Sequence, residues 1–163
     1  MPKMREKFKR GSSSEQIVNL LYNTGYRLTG NHRETQKLLK DVLNVLNDNI
    51  NLNIALKSLC LIYINKAISS PGKNSSKNKK SPPRKSNSTN KVQEALLTLP
   101  PAERLVLVLR EVLGLDYVEI AELIGIEETP VSRLLNTGRW ALRKQLACLL
   151  GQSGQPEKYS VAK

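Results

Sequence analysis

The sequence has few of the residues from which metal sites are built. Among 163 residues there are one histidine, His32, and two cysteines, Cys60 and Cys148. The cysteines lie far apart and form no Cys-x-x-Cys pair, which excludes a zinc site of the usual spacing. Both are surrounded by apolar residues, so we expect buried, reduced thiols. Aromatic residues make up only 4% of the chain, whereas 39% of it is hydrophobic, which favours a core of packed aliphatic helices.

A long hydrophobic run is also missing. The longest apolar run, Leu59 to Ile64, ends at Asn65, whereas a membrane-spanning helix needs about 20 residues. The N-terminal segment Met1 to Arg10 is basic but is not followed by an apolar segment, unlike a signal peptide. We therefore expect a cytoplasmic protein without a membrane span.

The usual signs of enzymatic chemistry are absent from the sequence. There is no glycine-rich phosphate loop, no cluster of metal ligands and no acid or base beside His32, which is more typical of a solvated turn. The carboxylates of Glu119, Glu122, Glu127 and Glu128 follow the pattern of a solvated helix face. We expect no enzyme, no cofactor and no small-molecule substrate.

Acidic residues are outnumbered, 14 against 26 lysines and arginines, which gives a net charge of +12. The excess is concentrated in residues 70–91, which carry seven basic residues and no acidic one. Residues 70–90 contain no aliphatic or aromatic side chain, so burial cannot offset the entropy of ordering them. This composition predicts a flexible linker, and the basic total favours a polyanionic partner.

The chain shows no strand-like alternation and no hairpin signal, so we predict an all-α protein of two small helical modules joined by a flexible basic linker. The predicted divisions are a basic tail over 1–11, a first module over 12–69, the linker over 70–91, a second module over 92–150 and a polar tail over 151–163. In the first module we expect three helices. One opens with a Ser12-x-x-Glu15 capping box and ends at Thr29, and the others span about 33–46 and 53–68.

The second module begins with a helix that Pro101 opens and Gly114 ends. Its apolar spacing predicts a buried stripe of Leu105, Leu109, Val112 and Leu113. Asp116 then caps a short helix, Tyr117 to Ile124.

Two short helices separated by a glycine turn, with a basic second helix, define a helix-turn-helix. Gly125 supplies the turn, Ile126 and Val131 are expected to anchor the crossing, and Thr129 is expected to cap a long helix running to Leu149. From Thr129 to Leu146 there are four basic residues and no acidic one, whereas residues 92–128 carry two basic and eight acidic residues. This distribution indicates a DNA-binding second helix.

The segment LTLPPAERLVLVLREVLGLDYVEIAELIGI resembles region four of bacterial sigma factors of the extracytoplasmic-function type. The positions that match the family motif are Leu99, Pro100, Arg104, Leu109, Arg110, Gly114, Leu115, Tyr117, Glu119, Ile120, Ala121, Gly125 and Ile126. The segment LLYNTGYRLTGNHRETQKLLKDVL is similar to the start of region two of the same family. The resemblance implies a transcription initiation factor, with region four on the −35 element and region two on the polymerase clamp and the −10 element.

The resemblance also implies site residues and partners. The DNA-binding positions would be Thr129, Ser132, Arg133, Asn136, Arg139 and Arg143. The polymerase-binding positions would be Lys37, Lys40, Asp41, Arg104 and Arg110. The implied partners are promoter DNA, core RNA polymerase and an anti-sigma protein.

Departures from the family motif leave alternatives open. Basic family positions of the recognition helix are Ser132, Leu134 and Thr137 here, and Gly138 costs about 1 kcal/mol of helix propensity. The first module offers only Tyr22, Tyr26 and Tyr63 to stack on unpaired bases. A divergent sigma paralogue, acting as a split-sigma partner or a mimic that titrates an anti-sigma protein, is one alternative. An ordinary helix-turn-helix regulator that dimerises through its first module is the other.

Overall fold

The structure, a computed structural model, describes residues 14–46, 51–69 and 88–151, and all regular structure in these ranges is helical. The predicted all-α class is therefore confirmed. The helices are α1 (Ser14–Thr29), α2 (His32–Leu46), α3 (Leu52–Ser69), α4 (Ser88–Thr98), α5 (Pro101–Leu107), α6 (Tyr117–Ile124) and α7 (Glu128–Leu149), and a π-helical turn (Val108–Val112) continues α5. Residues 88–91, predicted as linker, form the first turn of α4. The Ser12 cap, the basic tail and most of the predicted linker and polar tail lie outside the described residues.

One glycine and three polar residues form and stabilise the turn between α1 and α2. Gly30 ends α1 with a φ of +67°, a conformation that a residue without a Cβ adopts at little cost. Asn31 then caps α2, because its side-chain oxygen accepts a hydrogen bond of 2.8 Å from the Arg33 amide. The hydroxyls of Thr29 and Thr35 lie 2.7 Å apart and tie the two helices together.

Helix α3 contacts both other N-terminal helices. It buries Ala55, Leu56, Leu59, Cys60 and Tyr63 against α1 and α2. By length and composition alone this helix could cross a membrane, although the apolar run within it is short. A core helix of a folded domain passes the same test, and α3 has one buried side with five buried residues.

The predicted stripe of the second module is confirmed except at Val112. Leu105, Leu109 and Leu113 are buried, whereas Val112 is 52% exposed. The difference comes from the π-helical turn, in which the Leu113 amide bonds to the Val108 carbonyl at 3.3 Å. The wider turn departs from the spacing of 3.6 residues on which the stripe was predicted, so Val112 rotates out to solvent.

The N-terminal helices α1–α3 pack directly against the C-terminal helices α4–α6, with Arg104 of α5 at the junction. This side chain is only 6% exposed. Its guanidinium donates hydrogen bonds to the carbonyls of Leu28 in α1 (2.8 Å), Leu97 in α4 (2.6 Å) and Leu99 (2.8 Å). The carbonyls at a helix C-terminus lack partners within the helix, so one arginine satisfies the ends of two helices from different parts of the chain.

Two further contacts close the junction beside Arg104. The Gln93 side-chain amide donates to the Arg27 carbonyl at 3.0 Å, which satisfies another carbonyl in the last turn of α1. Gly30 lies so close to Leu97 that a Cβ on the glycine would stand 2.3 Å from a methyl carbon of that leucine. The contact therefore requires both the positive φ and the missing side chain of Gly30.

The two cysteines differ in environment. Cys60 is buried in α3, and burial raises the pKa of its thiol to about 12. Cys148 is exposed, so the prediction of two buried thiols is wrong for this residue. Its surroundings in the sequence are apolar, but it falls near the end of α7, well beyond Gly138, the last buried residue of this helix.

Candidate nucleic-acid interface

Helix α6, the turn at Gly125 and helix α7 form the helix-turn-helix predicted from the sequence. Asp116 caps α6, as expected, and its carboxylate accepts a hydrogen bond of 2.8 Å from the Glu119 amide. The Glu119 carboxylate accepts one of 2.9 Å from the Asp116 amide in return. This reciprocal capping box was not predicted, although the Asp-x-x-Glu spacing is its sequence signature. Gly125 ends α6 in the left-handed conformation, with a φ of +73°.

The start of α7 differs from the prediction in two respects. The helix begins at Glu128 and its N-cap is Glu127, which makes no side-chain capping bond, so Thr129 is inside the helix and is not the cap. Val131 is fully buried and anchors the crossing as expected. Ile126 is 38% exposed and does not, because the left-handed turn at Gly125 directs the chain outward at this point.

The inner face of α7 is formed by Val131, Leu135 and Gly138, which are all buried. Gly138 allows a close approach of α5, since a Cβ there would stand 3.0 Å from a methyl carbon of Leu107 and 3.3 Å from Cβ of Glu103. Gly138 lowers the helix propensity of α7, but it permits close packing between α5 and α7. From the sequence alone only the loss of helix propensity could be predicted.

The predicted DNA-binding residues lie on two faces of α7. Thr129, Arg133, Asn136 and Arg143 are exposed, on the side opposite the buried line, and Ser132 is half-buried at its margin. Helix α7 packs on α4, α5 and α6 of the C-terminal part. We call the exposed side of α7, from Thr129 to Lys144, the outward face.

Arg139 does not lie on the outward face. Its Nε and Nη2 both donate to one carboxylate oxygen of Glu111 in the π-helical turn, at 3.0 and 2.6 Å. The hydrogen bonds that Arg139 donates to Glu111 raise the pKa of the Arg139 guanidinium. The charge predicted for DNA is thus compensated within the protein, and Arg139 fastens α7 to the end of α5.

The turn that precedes α7 is acidic. An open groove there is lined by Val118, Gly125 and Ile126 together with the carboxylates of Glu122, Glu127 and Glu128. These residues flank the N-terminal end of the outward face, so its positive charges, those of Arg133, Arg143 and Lys144, all lie beyond the acidic turn.

The predicted polymerase-binding residues are distributed over both parts of the chain. On α2, Lys37 pairs with Glu34 at 2.9 Å, Asp41 pairs with Lys66, and Lys40 is exposed.

The two arginines predicted for polymerase face other protein groups in this conformation. Arg104 is buried at the junction and cannot reach a partner. Arg110 donates to the Leu115 carbonyl at 2.7 Å and lies 5.2 Å from the centroid of the Tyr117 ring, so it holds the loop before α6.

Of the three tyrosines of the N-terminal helices, one is buried and two contact His32. Tyr63 is the buried one, at 8% exposed. The Tyr22 hydroxyl is hydrogen-bonded to Nδ1 of His32, and the Tyr26 ring lies 4.6 Å from the His32 ring, centroid to centroid. His32 is exposed, as expected of a solvated residue, and it also has these two partners. No tyrosine of the described N-terminal helices offers a fully open ring.

One feature of the outward face was missed at the sequence level. Trp140 lies there and is 66% exposed. Its signal was the presence of a single tryptophan within a basic helix.

Comparison with known proteins agrees with this geometry. Residues 89–142 match the family model described as sigma-70, region 4. The chain is 40% identical over 58 residues to the extracytoplasmic-function RNA polymerase sigma factor SigW of Bacillus subtilis (strain 168), a match that covers 36% of this chain and 31% of SigW. The match thus spans about a third of the length of this curated relative.

The similarity of fold extends further than the similarity of sequence. The sigma factor RpoE of Bartonella quintana, crystallised with the anti-sigma factor NepR, matches with a TM-score of 0.60 over 80% of this chain and 91% of that chain, at 16% identity. The resemblance drawn from the sequence is thereby confirmed. Residues 89–142 thus match a sigma-70 region 4, and the helices share the fold of a solved sigma factor.

Proposed function

We propose that the chain is a sigma-like transcription initiation factor that binds core RNA polymerase and promoter DNA in the cytoplasm. The observation that carries the proposal is the outward face of α7 in the region 4 segment. Arg133, Asn136 and Arg143 are exposed on it, and no acidic residue occurs from Thr129 to Leu150. A recognition helix of a helix-turn-helix enters the major groove with such a face.

In this proposal the exposed residues of α7 have separate roles. Arg133 and Asn136 reach base edges, Arg143 contacts phosphate, and Thr129 and Ser132 lie beside the backbone. These proposed contacts bind DNA and require no catalytic site. Lys37, Lys40 and Asp41 on α2 are the polymerase contacts we propose for the N-terminal part. An anti-sigma protein, as found with RpoE, is a further partner that we propose for this chain.

The first experiment is capture of core RNA polymerase by the full-length protein. Retention of the polymerase subunits, and its loss when Lys40 and Asp41 are both changed to alanine, would support the proposal. Variants in which Glu15 and Gln16, exposed residues at the start of α1, are changed to alanine provide a matched control. Failure to retain polymerase would contradict the sigma-factor role.

The second experiment measures transcription from promoter fragments with core polymerase, with and without the protein. Initiation that depends on the protein separates an initiation factor from a mimic that only titrates an anti-sigma protein. An ordinary regulator would instead protect a palindromic site with half-sites about one helical turn apart.

A further inference from the structure

Trp140 is the only tryptophan in the sequence, and it is exposed in the middle of the helix proposed to bind DNA. Its relative exposure of 66% leaves most of the indole in water. Tryptophan is among the residues that contribute most to binding when a partner covers them. The fold does not use this side chain in its core.

The position of Trp140 places it on the outward face. It follows Arg133 by seven residues and Asn136 by four, so the helical period puts the three on one side of α7. At a rise of ~1.5 Å per residue, Trp140 lies ~10 Å beyond Arg133 along the helix axis. A recognition helix contacts bases chiefly with its N-terminal residues, so residues this far along lie at the edge of the groove, beside the sugar–phosphate backbone.

The charges around Trp140 identify the kind of partner. The Lys144 ammonium lies 5.2 Å from the centroid of the indole. Arg143 is exposed one turn beyond Trp140. An indole with one cation beside its ring and a second on the next turn of the helix fits a polyanion better than an apolar protein surface.

We infer that Trp140 and Lys144 form a contact with the DNA backbone, at the edge of the groove that Arg133 enters. The indole packs against a sugar and its N–H donates to a phosphate oxygen, while Lys144 pairs with the same or the adjacent phosphate. The inference rests on the proposed DNA-binding function of α7. It adds a contact that carries no sequence information and that positions the helix.

The experiment uses the full chain and a mixed-sequence 30-base-pair DNA duplex, because a backbone contact acts on any sequence. Trp140→Ala is expected to weaken binding about tenfold, and Trp140→Phe less, since the ring face remains. Lys144→Gln is expected to lower the slope of log affinity against log salt by about 0.9, the share of one phosphate. Ile54→Ala, at a residue 55% exposed on α3, is the matched control for loss of an exposed apolar side chain.

The emission of the single tryptophan gives an independent measurement. Saturation with the duplex is expected to protect Trp140 from quenching by acrylamide, and thermal unfolding should show that each variant is folded. If Arg133→Ala weakens binding while Trp140→Ala does not, or if quenching is unchanged on saturation, the inference is overturned and the proposed function stands. If the wild-type chain does not bind the duplex at low salt, the proposed function and the inference both fall.

Discussion

At the scale of single residues, the two thiols differ sharply in environment. Cys60 is buried and its thiol has a pKa raised to about 12, whereas Cys148 is exposed. The thiolate is the reactive form and needs access to the reagent. We expect an aromatic disulfide reagent such as DTNB to modify one thiol of the native protein at pH 8, and both after unfolding in guanidinium chloride. Cys148→Ser should remove the native reaction, and persistence of that reaction would contradict the assignment.

Gly138 offers a second prediction at this scale. Gly138→Val is expected to lower the free energy of unfolding by ~1–3 kcal/mol, because its side chain would press on Leu107 and Glu103. Gly138→Ala should have a small effect, since the gain in helix propensity opposes a tight contact.

The double variant Leu107→Ala with Gly138→Val tests the cause of that loss. Removal of the leucine side chain makes room for valine, so the two effects on unfolding free energy should be less than additive. Additive losses in urea unfolding would show that crowding between α5 and α7 is not the reason for the glycine.

At the scale of the element, the pairing of Glu111 with Arg139 decides which arginines of α7 are available to DNA. We expect Arg133→Ala to lower the salt slope of DNA binding by about 0.9, and Arg139→Ala to lower it much less, because Glu111 already compensates that charge. Glu111→Gln should raise DNA affinity by releasing the Arg139 guanidinium. Arg139→Ala and Glu111→Gln should leave the free energy of unfolding nearly unchanged, since exposed ion pairs contribute about 0–1 kcal/mol. Equal slopes for Arg133→Ala and Arg139→Ala would indicate that Arg139 turns to the DNA.

The elements show where sequence reasoning succeeds and where it stops. Local signals such as Asp116, Gly125 and Pro101 predicted the bounds of α6 and α7, and of α5 together with its π-helical turn, to within about a turn, because caps and turns depend on neighbouring residues. The π-helical turn at Val108–Val112 changes the helical period, so no rule based on 3.6 residues per turn could predict the exposure of Val112 or the direction of Glu111. The partner of Arg139 lies 28 residues away and is found only in the folded chain.

At the scale of the whole molecule, Arg104 joins the two parts of the chain. We expect the wild-type protein to unfold in one cooperative transition by circular dichroism, although the sequence suggested two separate modules. Arg104→Met is expected to lower the unfolding free energy by about 3 kcal/mol, since three carbonyls lose a charged donor. The loss of the junction should also separate the transitions of the two parts.

The control for this prediction is Arg27→Met. Arg27 is also at the junction, but its bond to Gln93 is long, at 3.4 Å, and the side chain is half-buried. Arg27→Met should therefore lower the free energy of unfolding much less than Arg104→Met. Two transitions in the wild-type protein, or an unchanged stability of Arg104→Met, would show that the parts do not depend on this residue.

The hydrogen bond from Arg104 to the Leu28 carbonyl joins residues 76 positions apart in the chain. A ribosome adds about 5–20 residues each second, so α1 is complete roughly 4–15 s before its last turn can receive this donor. During that interval the helices synthesised first have no neighbour for the surface that later meets α4 and α5. During synthesis there is thus a period in which the nascent chain cannot form the junction between its N-terminal and C-terminal helices.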